Sequence, residues 1–306
     1  MFRTILVPLD GSRFAEAALP AAAHLARSAR SRLHVILAHQ PAGAVVGVGE
    51  MVVPSNELDS ELKLQEQSYV EEAARRAGEV GQSPIEFRLL DGPAGPTVCE
   101  EAGRVEADLV VMATHGRGAI GRLWFGSVAD YVVRHVSVPV LLVHPDRGEQ
   151  LAEAHGVPGI LVALDLSPHS EAVLEPVIAM ARLLQSHVTL LHVVEPFYAA
   201  GPSVPYQVLQ DPTITEVRRA DAQKHLDGIA DGLRRWGLSV STRVVIGGSA
   251  GATVLETLQD RKFGMVAMTT HGAGGMRRLF LGSVADRVIR GAAKPVLVLR
   301  PQGLPG

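Results

Sequence analysis

The chain repeats itself. ILVPLDGS at Ile5–Ser12 returns 155 residues later as ILVALDLS at Ile160–Ser167. THGRGAIGRLWFGSVAD at Thr114–Asp130 returns as THGAGGMRRLFLGSVAD at Thr270–Asp286, displaced by 156. VPVLLVHP at Val138–Pro145 returns as KPVLVLRP at Lys294–Pro301, again displaced by 156. Three blocks in one order at one nearly constant offset mean two copies of a domain, with a period far beyond the roughly 20–50 residues of a solenoid. A chain of 306 residues holds two domains of about 150 each. The boundaries read 1–146 for the first copy and 159–306 for the second. The linker, 147–158, lies in the polar, glycine- and proline-bearing stretch DRGEQLAEAHGVPG (Asp146–Gly159).

Within each copy, apolar runs alternate with helical patterns. In the first, RTILVPL, RLHVILAH, IEFRLLDG, DLVVMAT and PVLLVH read as strands. Between the first and second lies the alanine-rich FAEAALPAAAHLARSAR, helical apart from Pro20. The amphipathic ELDSELKLQEQSYVEEAARRAGEV and the shorter PTVCEEAGRV follow. Apolar strands without clean alternation are covered on both faces, as in a parallel sheet flanked by helices. The expected fold class is α/β: two tandem, doubly wound, Rossmann-like domains with five parallel strands each. Longer irregular stretches at Gln40–Asn56 and Glu195–Pro212 are apolar enough to cover a site or dock on the other half.

Composition excludes several functions. With 47% hydrophobic and 20% charged residues the chain can bury a core. A net charge of -3 with interspersed signs offers no nucleic-acid face, and 4% aromatics are too few for base stacking. The single Cys99 allows no internal disulfide and reads as a small packed side chain in TVCEEAG. No apolar run reaches the ~18–20 residues of a membrane span, and MFRTILVPLD enters a strand at once, leaving no room for a signal peptide. A soluble, cytoplasmic protein with no membrane contact is expected.

The repeated loop carries the chemistry. It follows the fourth strand and delivers Ser127 or Ser283 to the start of a helix. Glycines let backbone approach a ligand, and the unbonded N–H groups of a helix's first turn attract phosphate oxygens. A serine there can cap the helix or donate its hydroxyl. The alternative is a glycine-rich turn with a capping serine and no ligand. Gly116–Gly121 reads GRGAIG, formally a dinucleotide fingerprint, but it follows the fourth strand instead of the first, and the second copy reads GAGGMR. A redox enzyme using NAD or flavin is therefore disfavoured.

These motifs, in this order, resemble the universal stress protein family, and the whole chain resembles a tandem member. Its nucleotide-binding members show G-x2-G-x9-G-[S/T]. The second and third glycines and the serine match as Gly116, Gly126 and Ser127, and as Gly272, Gly282 and Ser283. Ala113 and Thr269 stand where the first glycine is expected. The resemblance further implies an adenosine-side contact at Asp10 and Asp165 and an adenine-facing backbone at Gln40 and Val193. It also implies a glycine-bearing loop at Gly92 and at Gly247–Gly248. A carboxylate at Asp10 or Asp165 suits ribose hydroxyls, helix capping being the plainer alternative.

His115 and His271 shape the loop, since no nucleophile or carboxylate stands at a catalytic spacing. Arg122 and Arg278 occupy equivalent loop positions and are candidates for terminal phosphates, or plain solvated cations. The histidines show no metal-site spacing. The resemblance implies ATP or another adenine nucleotide in one or both halves, with Mg2+ bridging phosphates. It also implies an unknown protein partner regulated by nucleotide, at most slow hydrolysis, and pairing of the proline-bracketed fifth strands within the chain or in a homodimer. The competing expectation is a nucleotide-free scaffold, favoured by Ala113 and Thr269.

Overall fold

The computed structural model describes residues 2–41, 56–81, 83–114, 125–145, 158–196, 198–199, 209–210, 212–272 and 281–301. It divides into two compact units, Met1–Ala154 and His155–Gly306. The linker expected at 147–158 lies outside the described residues except for its last position, and so do most of the two irregular stretches.

In the first unit, β1 (Thr4–Leu9), α1 (Arg13–Glu16), α2 (Ala18–Ala29), β2 (Arg32–His39) and α3 (Asn56–Gly81) come first. They are followed by β3 (Ile85–Asp91), α4 (Ala94–Arg104), β4 (Leu109–Ala113), α5 (Ser127–His135) and β5 (Val140–Val143). The strands are parallel in the order β3–β2–β1–β4–β5. The second unit runs β6 (Gly159–Ala163), α6 (Pro168–Glu171), α7 (Leu174–Leu184) and β7 (His187–Val194). A short antiparallel pair, β8 (Tyr198–Ala199) and β9 (Leu209–Gln210), comes next. Then come α8 (Pro212–Arg235), β10 (Val240–Ile246), α9 (Ala250–Leu258), β11 (Met265–Thr269), α10 (Ser283–Gly291) and β12 (Val296–Leu299). Its five parallel strands repeat the order, β10–β7–β6–β11–β12. Each unit is thus doubly wound, as expected. The order reverses between β1 and β4 and between β6 and β11, and ligands of such sheets bind beyond the carboxyl ends of the strands at that point.

Burial explains the strands. β1 is buried along its whole length, as are β4 and β5, so these runs have no solvent side to alternate toward. In the first unit α2 packs on α3, and α4 on α5, giving a helix pair to each layer. The helix expected across Pro20 is two pieces, α1 and α2, and Pro20 is the third residue of α2. An N–H in the first turn has no intrahelical acceptor, so proline costs nothing there. Pro176 sits likewise third in α7.

Both faces of β2 are fastened to helices by buried histidine–carboxylate pairs. His34 is buried, with Nε2 2.8 Å from Oε1 of the buried Glu101 on α4. Arg104, then His34 and Arg88, hold the Glu101 carboxyl down to about 2. His39, with no exposed surface, points to the α3 side, its Nδ1 2.6 Å from Glu66 Oε2 and its Nε2 3.1 Å from Asp59 Oδ1. Lys63 bridges on to Asp91 at the end of β3, Nζ–Oδ1 2.8 Å, and this pairing holds the Asp91 carboxyl below its ordinary range.

The second unit dispenses with both clusters. The strand registers Ile5↔Leu33 and Ile160↔Val188 place Thr189 where His34 stands and Val194 where His39 stands. The burial pattern of α8 puts Ala222 in the place of Glu66. Such a site can be filled by either chemistry, but half an ionic cluster is costly. Replacing His39 with Val alone is expected to destabilise the first unit by about 3 kcal/mol or more. The triple change His39→Val, Asp59→Thr, Glu66→Ala should come within about 1 kcal/mol of the parent. Urea denaturation with hydrogen exchange at β1 and β2 amides reads both, and an equal loss in the triple variant contradicts this account.

Candidate functional site

The site is built where β6 and β11 end. Asp165, just past β6, accepts the Ser167 N–H at 3.0 Å and the Ser167 hydroxyl at 2.5 Å on the same oxygen, Oδ1. Ser167 in turn caps α6 by accepting the Ser170 N–H. This turn pins the carboxylate at the strand end. Its other oxygen faces Gly272 so closely that a Cβ on Gly272 would overlap it. The glycine is there for space, because no side chain fits beside Asp165.

The repeated loop closes by one hydrogen bond. The Gly282 N–H donates to the Thr270 carbonyl at 2.9 Å, and a Cβ on Gly282 would stand 2.9 Å from that same oxygen. Gly282 is the N-cap of α10, with φ -61° and ψ 147°, and its carbonyl accepts the Asp286 N–H at 2.8 Å. Ser283 is therefore the first helical residue and not the cap that the sequence suggested. The N–H groups of Ser283, Val284 and Ala285 belong to the first turn, which has no intrahelical acceptors. No described residue bonds them. The positive end of the helix dipole adds to their attraction for an anion.

A cavity of about 610 Å³ joins these parts. Asp165, Val193, Gly272, Gly282 and Ser283 all line it, as do Val284 and Ala285. Its volume is that of a small-molecule site, for which roughly 300–1,000 Å³ is usual. Gly247 is not among the lining residues; its N–H donates to Val194 at 3.1 Å, and the wall is continued by Ala250 and Val254 of α9. The sequence reading missed His192, Thr270 and Ser170, which also line the cavity. Only the register of β7 against β6 brings His192 there.

The first unit repeats the frame. The Asp10 Oδ1 accepts the Ser12 N–H at 2.9 Å and the hydroxyl at 2.6 Å. The Gly126 N–H donates to Thr114 at 2.9 Å, and Gly126 caps α5 with φ -63° and ψ 143° ahead of Ser127. Gly92 turns the chain after β3 with φ 139°, its N–H donating to His39 at 2.9 Å. Gly116, His115, Arg122 and Arg278 lie outside the described residues. Gln40 is not the counterpart of Val193: the registers of the two sheets place Ala38 there.

Residues 1–144 and 158–300 each match the universal stress protein family. The chain belongs to that family. A universal stress protein of Mycolicibacterium smegmatis is 31% identical over 196 residues, 64% of this chain and 63% of the relative, so the match spans less than two thirds of that protein. One from Thermus aquaticus is 34% identical over 143 residues, 47% of this chain and 99% of the relative. Among solved structures, a universal stress protein from Archaeoglobus fulgidus superposes with a TM-score of 0.71 at 17% identity. That alignment covers 97% of this chain and 98% of the other, and it supports the fold.

Within the family pattern, the two departures have different physics. Thr269 is buried, lines the cavity and donates its hydroxyl to the His271 carbonyl at 2.7 Å. Thr270 Oγ1 lies 3.0 Å from His271 Nδ1. These bonds brace the THG turn from inside, where a glycine would leave it to the backbone alone. Ala113 has no such group. His271 is accordingly a loop-shaping residue. Among the described residues no cluster of His, Cys, Asp or Glu forms a metal site, and no helix is long and apolar enough to cross a membrane.

Replacing Gly272 with Ala is expected to cost about 1–3 kcal/mol of stability in the second unit, since the turn must move off Asp165. In an Asp165→Ala background the same change should cost far less, because neighbours in contact couple. Thermal melts of the four-variant cycle check this; equal costs in both backgrounds would refute the close approach.

Proposed function

We propose that this universal stress protein binds an adenine nucleotide, with ATP as the ligand, and that the second unit is the stronger site. The observation that carries the reading is that one cavity joins the pinned carboxylate of Asp165, the strand-end residue Val193 and the amide-bearing turn Gly282–Ala285. Asp165 suits ribose hydroxyls, which donate to a carboxylate in charge-assisted bonds. The amides of Ser283, Val284 and Ala285, with the Ser283 hydroxyl, suit the phosphates, and Gly272 gives them room. Mg2+ would bridge phosphate oxygens, drawing few ligands from the protein.

Asp10, Gly92, Gly116, Gly126 and Ser127 are the corresponding proposal for the first unit, and Gly247 supports the second from behind Val193. The nucleotide acts as a signal that alters partner binding, in a cytoplasmic stress response, with at most slow hydrolysis. The partner is a protein, and the working assembly is a pairing of like domains.

Calorimetric titration of the purified chain with ATP and Mg2+ in the millimolar range tests this. Saturable binding is expected. Gly282→Val should lower occupancy more than Gly126→Val, because its side chain would press on the Thr270 carbonyl and disturb the stronger site. No heat and no uptake would leave a nucleotide-free scaffold acting through protein contacts.

A further inference from the structure

We infer that the first unit carries a second ligand site, at the end of its sheet away from the Asp10 turn, for a free α-amino acid with an uncharged side chain. A cavity of about 230 Å³ lies there, at the amino ends of β1, β2 and β3 and beside the end of α4. Its floor is polar and buried, since Thr4 and His34 are only 4% and 2% exposed. Four charged side chains stand round it: Arg32, Glu86, Arg104 and Glu106. The hollow is smaller than the roughly 300–1,000 Å³ of drug-sized ligands, which suits a small metabolite.

These charges are not used up by one another. Arg32 donates from Nη2 to Thr4 Oγ1 at 3.2 Å, and no described residue takes its other N–H groups. Arg104 grips Glu101 through Nε and Nη2, both at 2.6 Å, leaving Nη1 without a described acceptor. Glu86 Oε2 is 3.4 Å from His34 Nδ1, and the Glu106 carboxylate meets no described donor. Among the described residues, neither guanidinium pairs with either of these two carboxylates.

The arrangement selects the ligand by charge. A simple anion would suit the arginines but face Glu86 and Glu106, and a simple cation would meet the reverse. A molecule carrying both signs close together satisfies both pairs. An α-carboxylate accepts two parallel bonds from a guanidinium, and an ammonium group gives three N–H donors to carboxylates. The four groups sum to no net charge, which matches an amino acid whose side chain is uncharged.

The second unit has closed the same place. The strand registers put Gly159, His187, Thr189 and Ser241 where Thr4, Arg32, His34 and Glu86 stand. The two ring nitrogens of His187 lie 2.8 Å from the hydroxyls of Ser239 and Ser241, and Ser241 lies 3.1 Å from Thr189 Oγ1. Those groups satisfy each other, so the site belongs to the first unit.

The test is an amide NMR titration of the full chain with L-serine, L-asparagine and L-glutamine, each into the millimolar range. At least one should shift the amides of Thr4, Leu33 and Val105 saturably, leaving those of Ile160 and Val188 in place. The N-acetyl form of that amino acid lacks the ammonium, and its carboxamide form lacks the carboxylate. Each should bind about tenfold more weakly, the worth of one charged hydrogen bond. Arg32→Gln and Glu86→Gln should weaken the amino acid by a similar factor. Both side chains are exposed, so the variants should melt as the parent does. Three amino acids that leave the amides unmoved overturn the inference. So does an acetylated or carboxamide form that binds as well as its parent, or an affinity unchanged in both variants. None of these results bears on the nucleotide reading, which concerns the other end of the sheet.

Discussion

One backbone hydrogen bond organises each unit: the glycine before the last helix donates its N–H to the carbonyl of the threonine just past β4 or β11. Gly282 to Thr270 and Gly126 to Thr114 are both 2.9 Å. The bond closes the loop, places glycine at the N-cap and commits the next three residues to helical geometry. Their N–H groups cannot be bonded within the helix, and they open beside the point where the strand order reverses. Asp165 and Gly272 fit together across that same point. An acidic group at the floor and bare amides at the rim suit a ligand with hydroxyls at one end and phosphate at the other.

The duplicated chain separates what the fold needs from what one copy elaborates. The aspartate turn, the capping glycine and the strand order are common to both units. The means of holding the second strand are not. His34 and His39 fasten β2 to opposite helix layers through Glu101 and Glu66, whereas Thr189 and Val194 occupy the same register in the second unit. Both solutions satisfy the same geometry, because a complete ionic cluster and a packed apolar patch are nearly equivalent in free energy while a partial cluster is not. At the site the asymmetry runs the other way: the strand registers put Leu37 and Ala113 of the first unit at the positions that His192 and Thr269 hold in the second.

Much of this was legible in the residues. The repeat offset exposed the two domains, unbroken apolar runs exposed the buried parallel strands, and the THG-to-GS loops pointed to the start of the last helix. What stayed hidden depends on pairing between distant segments. The resemblance sets Gln40 level with Val193, but His39 and His192 are not equivalent, and only strand register separates them. His39, Glu66 and Asp59 share no periodic signal, since the strand and the helix meet only in the folded chain. The break at Ala17, three residues before Pro20, turns on where a helix begins, which sequence patterns place least well. The role of Thr269 likewise needs the turn it braces.

The most direct measurement of the central claim is an amide NMR titration of the isotopically labelled chain with ATP and Mg2+. The account predicts that the N–H resonances of Ser283, Val284 and Ala285 move the most and saturate together with binding. Saturable ATP binding that leaves those three amides unmoved would contradict it.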